Sequence, residues 1–482
     1  MSVITIKTIL NNFENFVGRE ISIMGRIIRY KSQGNRIFGS ICDGSEATNL
    51  QFIHEFEDDK SVFHEDITPG CSVVLYGTIV DSPSKGQDIE IVIKDCKLIS
   101  LVRDPKTYPY GAEMTKRGKK VTSLTHKERL ITVRSDTYGR FRETKLQAIF
   151  RIRSTLKMAL YKFFESKQFI QVDTPLITKS DCEGAGEMFQ VTTLDLDKID
   201  SSEDKYKDDF FGCKANLTVS GQLEAEALAQ TLGRVFTFGP TFRAENSNTS
   251  RHLSEFWMLE PEMVFDDECE RTRYHKLMQL EEDMIKFVIR EVLEKSIGDI
   301  VYLENTISPG LRDKLNSILE IDEFPKISYT DVILELKKCK PDKFEQNVIE
   351  WGMDLHSEHE RYICETLYSS PVFITDYPKS LKSFYMKEND DKLTCQAVDL
   401  IVPGIGELCG GSMREDDPDK LVSTMNEKGV PTSDLQWYID LRYDGGLPTG
   451  GFGIGFERLI RLVTEADSIR DVIAFSRYAG HI

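Results

Sequence analysis

The stretch FGPTFRAENSNTSRHLSEFWMLE, residues 238–260, is apolar at both ends and polar and charged in the middle. That is the pattern of two strands joined by a long loop. It gathers Arg243, Glu245, Arg251, His252 and Phe256 in one strand–loop–strand unit. Chemistry on a nucleoside triphosphate needs a cation for the α-phosphate, more cations for the departing pyrophosphate and a flat apolar surface for adenine. An Arg near the end of one strand and an aromatic on the returning strand supply both ends of such a ligand. A hairpin with solvated charges is the plainer reading. It leaves unexplained why polar residues crowd a loop between two apolar strands.

Outward from this unit, GGFGIGFERL (residues 450–459) is a glycine-rich strand running into a helix. Glycine lets backbone approach a ligand closely, and Arg458 in the first helical turn can face an anion. The stretch is neither a Walker A sequence nor a GxGxxG fingerprint, and a tight strand-to-helix turn accounts for it equally well. Upstream, Ile149, Ile152, Leu156, Ala159, Leu160 and Phe163 recur at helical spacing and predict a helix over 146–169. It stops before Val172-Asp173-Thr174-Pro175, where proline holds the preceding residue extended. Beyond it, strands, loops and helices mix without regular βαβ alternation, so the expectation is an α+β domain on an antiparallel sheet. Residues 195–209 read as a charged surface loop, and 266–350 as a largely helical insertion beside the sheet.

Toward the amino terminus, ISIMGRIIRY, RIFGSICD, TNLQFIH, CSVVLYGTIV and DIEIVIKDCKLIS are β-branched or alternating runs separated by Gly, Pro, Asp and Ser. Five short strands suit a small closed barrel, most commonly an OB-fold, with an SH3-like barrel or an antiparallel sheet as alternatives. Residues 103–118 carry Pro, Gly and charge without an apolar period and read as a linker. The expected division is a barrel over 1–102, a basic hinge over 103–145 and an α+β domain over 146–482.

A chain of 482 residues exceeds one core. No apolar run reaches the roughly 18 residues of a membrane span. The opening MSVITIKTIL has neither a secretory nor a transit pattern, and the ten cysteines include no C-x-x-C pair. A cytoplasmic protein with reduced cysteines, no membrane partner, is expected. The net charge of −18 argues against a polyanion partner until it is resolved locally. Lys116–Arg153 holds twelve Lys and Arg against three acids, a local +9 that leaves about −27 for the rest. A basic girdle in an acidic protein suggests one surface facing nucleic acid.

The helix running to Pro175, the Phe242–Phe256 unit and Gly451–Arg458 together resemble the three motifs of class II aminoacyl-tRNA synthetases. The HIGH and KMSKS signatures of the other synthetase class are absent. The barrel resembles the anticodon-binding OB domain of the Asp/Asn/Lys subgroup. Within it, TVSGQL (218–223), RAENSNTSR (243–251), DCEGAGEM (181–188) and PGIGELCGGSMR (403–414) look most like asparaginyl enzymes of the bacterial type. Ala225 discriminates further, because the similar aspartyl enzymes place a lysine there for the substrate carboxylate. Beside a neutral carboxamide that cation would lack a partner.

The resemblance implies ATP, L-asparagine and tRNA(Asn) as substrates, Mg²⁺ as cofactor, and a homodimer with the 146–169 helix at the two-fold interface. It implies that Glu183, Ser220 and Gln222 hold the amino acid and that Arg414 donates to its side-chain carbonyl. Arg243 would grip the α-phosphate, Arg251 and His252 the pyrophosphate, Arg458 the γ-phosphate, and Phe256 would stack on adenine. Glu245 would accept from either the carboxamide or adenine. Asp399 and Glu407 would be the Mg²⁺ ligands. Arg29, Phe38 and Gln51 would read the anticodon, although Phe38 could equally be a core residue of its strand.

Overall fold

The computed structural model describes residues 4–57, 60–83, 86–110, 115–116, 119–120, 132–133, 135–179, 188–195, 205–246, 252–266, 269–340 and 342–482. They divide into two compact units, 1–152 with 296–309, and 153–295 with 310–482.

The first unit contains the five expected strands, β1 (Glu20–Gln33), β2 (Arg36–Cys42), β3 (Leu50–Glu55), β4 (Ser72–Asp81) and β5 (Ile89–Ser100). Their hydrogen bonding runs β1–β2–β3–β5–β4 and returns to β1, closing a barrel with no free edge among them. Alternation places Ile27, Ile37, Ile41, Phe52, Leu75 and Ile91 inside. Phe38 is on the other face of β2, 39% exposed, so it is not part of the barrel core.

The second unit is built on an eight-stranded sheet. Its six inner strands are mutually antiparallel, in the order β8 (Val372–Pro378), β9 (Thr394–Val402), β10 (Gly406–Met413), β11 (Thr449–Gly455), β7 (Glu255–Val264) and β6 (Arg234–Phe242). Short parallel strands, Lys326–Ser328 and Ile170–Gln171, form its edges. This is the α+β architecture expected. Helices α2 (Gln222–Leu232), α3 (Glu270–Lys295) and α4 (Phe456–Thr464) pack against the sheet. After α3 in the chain, Ile297–Thr306 belongs to the first unit, and helices Leu311–Glu320 and Tyr329–Lys337 to the second.

The long helix α1 spans Thr144–Ser166 and is three residues shorter at its end than the apolar period suggested. Gln168 takes a left-handed φ of 63°, and Phe169 folds back to pack edge-on against Phe164 at 5.1 Å. Ile149, Ile152, Leu156 and Leu160 are fully buried within the chain. The apolar stripe therefore serves this chain's own core and does not present a free face. No helix among the described residues is long and apolar enough to cross a membrane.

Candidate active site

Strand pairing brings the separate motifs together. β6 and β7 pair in register from Arg234 opposite Met263 to Phe242 opposite Glu255, which sets Arg243 and Phe256 on one side of the loop between them. The guanidinium carbon of Arg243 lies 5.5 Å from the ring centre of Phe256. β11 pairs with both β7 and β10, so the glycine-rich strand lies between the Phe256 strand and the Glu407 strand. One cleft of about 220 Å³ results, lined by Arg243, Glu245, His252, Phe256, Glu407 and Arg458.

In the cleft, Arg458 Nη1 donates to the Glu407 carbonyl at 2.8 Å and lies 3.6 Å from its carboxylate. Desolvation opposes ionisation of Glu407, but Arg458, Lys382 and Arg243 outweigh it and hold its carboxyl below the usual range. His252 Nε2 is 3.7 Å from Glu245, a half-exposed pair worth little by itself. Asp399 is buried and accepts from Lys382 Nζ at 2.6 Å. Burial pushes its carboxyl up, Lys382 pulls it down and Glu407 adds to the rise, with a net upward shift. Asp399 Oδ1 and Glu407 Oε1 lie 3.4 and 3.2 Å from the point where a Cβ on Gly410 would stand. Two hard oxygen donors thus face one small volume. Among the described residues no three His, Cys, Asp or Glu side chains form a closed metal cage. A pair of carboxylates that leaves positions for water and phosphate suits Mg²⁺ better than such a cage does.

A second, fully buried cluster adjoins the cleft. Successive same-face residues of β7 are Phe256, Met258, Glu260 and Glu262. Glu260 accepts from the Ser220 hydroxyl and, at 3.1 Å, from the Gly221 amide, fixing the turn that leads into Gln222. Glu262 accepts from Arg414 Nε at 3.3 Å and from its Nη2, while Arg414 Nη1 donates to Ser412. Arg414 also lies 4.9 Å over the Tyr385 ring. Burial pushes the Glu262 carboxyl up and Arg414 pulls it back, with a net upward shift. Gly451 makes this pair possible, because a Cβ there would stand 2.2 Å from Glu262 Oε1. Behind it, Glu226 accepts from Arg442 at 2.6 Å, from Thr449 at 2.8 Å and from the Tyr438 hydroxyl.

The sequence-derived residues Arg243, Glu245, His252, Phe256, Glu407 and Arg458 therefore meet, with Asp399 beside Glu407 and with Ser220, Gln222 and Arg414 in the adjoining cluster. Glu183 and Arg251 lie outside the described residues. Arg29, Phe38 and Gln51 belong to the other unit, where β-pairing sets Arg29 and Gln51 on either side of Ser40. Sequence reading missed Glu260, Glu262, Lys382 and also Glu360, whose carboxylate accepts from the Glu407 amide at 3.4 Å. The two strand residues could have been found by counting in twos from Phe256. Lys382 and Glu360 carry no such signal.

A family model for class II tRNA synthetases (D, K and N) matches residues 131–479, and one for an OB-fold nucleic-acid-binding domain matches 21–99. The asparagine–tRNA ligase of Colwellia psychrerythraea is 42% identical over 485 residues, covering 99% of this chain and 98% of that one. The chain belongs to the class II asparagine–tRNA ligases. The asparagine–tRNA ligase of Clostridium novyi is likewise 42% identical, covering 100% of this chain and 99% of its own. The asparaginyl-tRNA synthetase of Pyrococcus horikoshii, solved in complex with asparaginyl-adenylate, is similar with a TM-score of 0.80 at 27% identity, each chain covered in full. For an asparagine–tRNA ligase the surroundings of Ala225 are informative. It is fully buried against Ala229 and Val235, so no cation stands where the aspartyl pattern has lysine.

Proposed function

We propose that the chain activates L-asparagine with ATP and transfers it to tRNA(Asn). The observation that carries this reading is the cleft into which three separate stretches bring Arg243 with Phe256, Glu407 and Arg458. The choice of asparagine is supported by full-length likeness to asparagine–tRNA ligases and by Ala225.

In this reading adenine stacks on Phe256, with Arg243 beside it on the α-phosphate and on the carboxylate under attack. That carboxylate attacks the α-phosphorus in line, forms the asparaginyl-adenylate and releases pyrophosphate. His252, Arg251 and Arg458 offset the charge of the departing group. Mg²⁺, held by Asp399 and Glu407, would neutralise phosphate oxygens. No protein nucleophile is needed; positioning and fixed charge lower the barrier. The terminal ribose hydroxyl of the tRNA then attacks the adenylate carbonyl and AMP departs.

Glu183, Ser220 and Gln222 hold the amino acid, and Glu245 accepts from the carboxamide or from adenine. Arg414 has five N–H groups, of which Glu262 and Ser412 engage three. In this reading the others donate to the carbonyl of the asparagine side chain. Because Glu262 balances its charge, the site favours a neutral amide over a second carboxylate. In the barrel, exposed Phe38 stacks on an anticodon base while Arg29 and Gln51 make polar contacts.

A cytoplasmic homodimer completes the reading. Since the α1 stripe is buried, the two-fold contact uses the exposed Met158, Ile170, Leu176 and Ile177. The test is aminoacylation of tRNA(Asn) with labelled asparagine by the purified protein. Acid-stable label on tRNA(Asn) but not on tRNA(Asp) is expected, and label on neither would refute the proposal.

A further inference from the structure

Glu407 stands at an irregular point of the sheet. The β9–β10 register slips between Leu400 and Ile401, so that Leu400 opposes Cys409 while Ile401 opposes Glu407. Such a bulge re-aims a neighbouring side chain, here next to Glu407. The turn preceding it, Val402–Gly406, has left-handed φ at Gly404 (78°) and Gly406 (85°). It contributes few side chains that could fix it from within.

The hold comes from the helical segment Ser357–Leu367. Glu365 Oε1 accepts from the Gly404 amide at 2.9 Å, and Glu360 Oε2 accepts from the Glu407 amide at 3.4 Å. Gly406 is pressed against the second of these. A Cβ there would lie 2.6 Å from Glu360 Oε2, and the left-handed φ of 85° favours glycine in its own right. Two glutamates five positions apart do not share a face of an α-helix, where they are turned about 140° from each other. Here Tyr362–Leu367 is π-helical, with the Tyr368 amide bonded to the Ile363 carbonyl at 3.1 Å. Glu360 lies in the α-helical Ser357–Arg361 and Glu365 in the π-helical turn that follows, whose wider winding reduces the angle between the two. A π-helix is a rare and costly form, and this one delivers both carboxylates to the same turn.

We propose that Glu360 and Glu365, on either side of the junction between the α-helical and π-helical turns, are positioning residues that clamp the Val402–Gly406 turn and so fix Glu407 and, through its carbonyl, Arg458 for a magnesium nucleoside triphosphate. The clamp rests on reading the cleft as a nucleotide site. It acts on that site from outside the cleft, through backbone amides. Glu365 is solvent-exposed, so its substitution leaves the core intact.

The experiment uses full-length Glu365→Ala and Glu365→Gln. Hydrogen–deuterium exchange is followed without ligands in peptides covering 400–408, and asparagine-dependent ATP–pyrophosphate exchange is measured against MgATP and asparagine separately. Alanine should speed amide exchange in the turn about tenfold, the effect of one lost charge-assisted hydrogen bond. It should raise the KM for MgATP several-fold and leave the KM for asparagine unchanged. Glutamine keeps an acceptor oxygen and should restore both towards the parent values. Unchanged amide exchange in the alanine variant overturns the clamp, and faster exchange with an unchanged KM for MgATP overturns its link to Glu407. An unaltered protein with no asparagine-dependent exchange counts against the nucleotide reading instead, a result distinguishable from both.

Discussion

Arg414 and Glu262 form a buried ion pair, Nε to Oε2 at 3.3 Å with a second contact from Nη2 to Oε1, both side chains 2% exposed or less. A buried pair of this kind does little for net stability, because desolvation offsets most of the attraction. It does hold the guanidinium plane in one orientation, and it leaves that plane electrically balanced.

Glu262→Gln should therefore affect substrate choice more than nucleotide use. Removing the counter-charge leaves Arg414 a bare cation, and kcat/KM for asparagine should fall roughly 10- to 150-fold, the range for a hydrogen bond to a charged group. The KM for ATP should change little. Equal losses for both substrates would show that Glu262 supports the sheet as a whole and not the amide contact.

Arg458→Ala should depress ATP–pyrophosphate exchange by roughly 10²–10³-fold, the typical cost of one electrostatic donor aimed at developing charge. Arg458 is 43% exposed and sits in the first turn of α4, so the circular dichroism spectrum and melting temperature should stay near the parent values. Near-normal exchange in the variant would refute its assignment to pyrophosphate charge.

Glu281 on α3 is fully buried, and among the described residues neither carboxylate oxygen has a hydrogen-bond partner. Burial, with Asp399 nearby, pushes its carboxyl well above the usual range. Below the unfolded-state value both states hold the proton and pH has no effect. Above it the unfolded chain releases a proton that the folded chain keeps, so stability falls as pH rises, by up to about 1.4 kcal/mol per unit. Glu281→Gln removes that slope. The melting temperature of the variant relative to the parent should rise from pH 5 to pH 8, whereas parallel curves would mean that Glu281 does not titrate differently in the two states.

Phe38→Ala separates the barrel from the chemistry. Exchange of pyrophosphate needs no tRNA and should be unchanged, while affinity for tRNA(Asn) should fall about five- to 150-fold, since stacking one base contributes roughly 1–3 kcal/mol. Because Phe38 lies outside the barrel core, unfolding should also be unchanged. Early unfolding of the variant would sink the stacking role.

Much of this was legible in the residues. The barrel strands alternate cleanly, and the β6–β7 and β11–α4 units carry chemistry in contiguous words, so strand pairing only had to bring them together. Periodicity in α1 told which face was buried but not against what, and the chain's own core proved to be the answer. Glu262 was overlooked because a carboxylate in an apolar strand looks like an outward-facing residue unless its alternation with Phe256 is counted, and its partner Arg414 is 152 positions away. Lys382 and Glu360 reach the site from a loop and a short helix, where no period marks a face.

The account's central claim is that the site selects a neutral amide. The most direct measurement is amino-acid-dependent ATP–pyrophosphate exchange by the unaltered protein, with asparagine and aspartate compared at matched concentrations. Asparagine should stimulate exchange at least 10²-fold more efficiently than aspartate, the scale on which a buried polar mismatch discriminates. Comparable stimulation by aspartate would contradict both the charge-balanced Arg414 and the reading of Ala225.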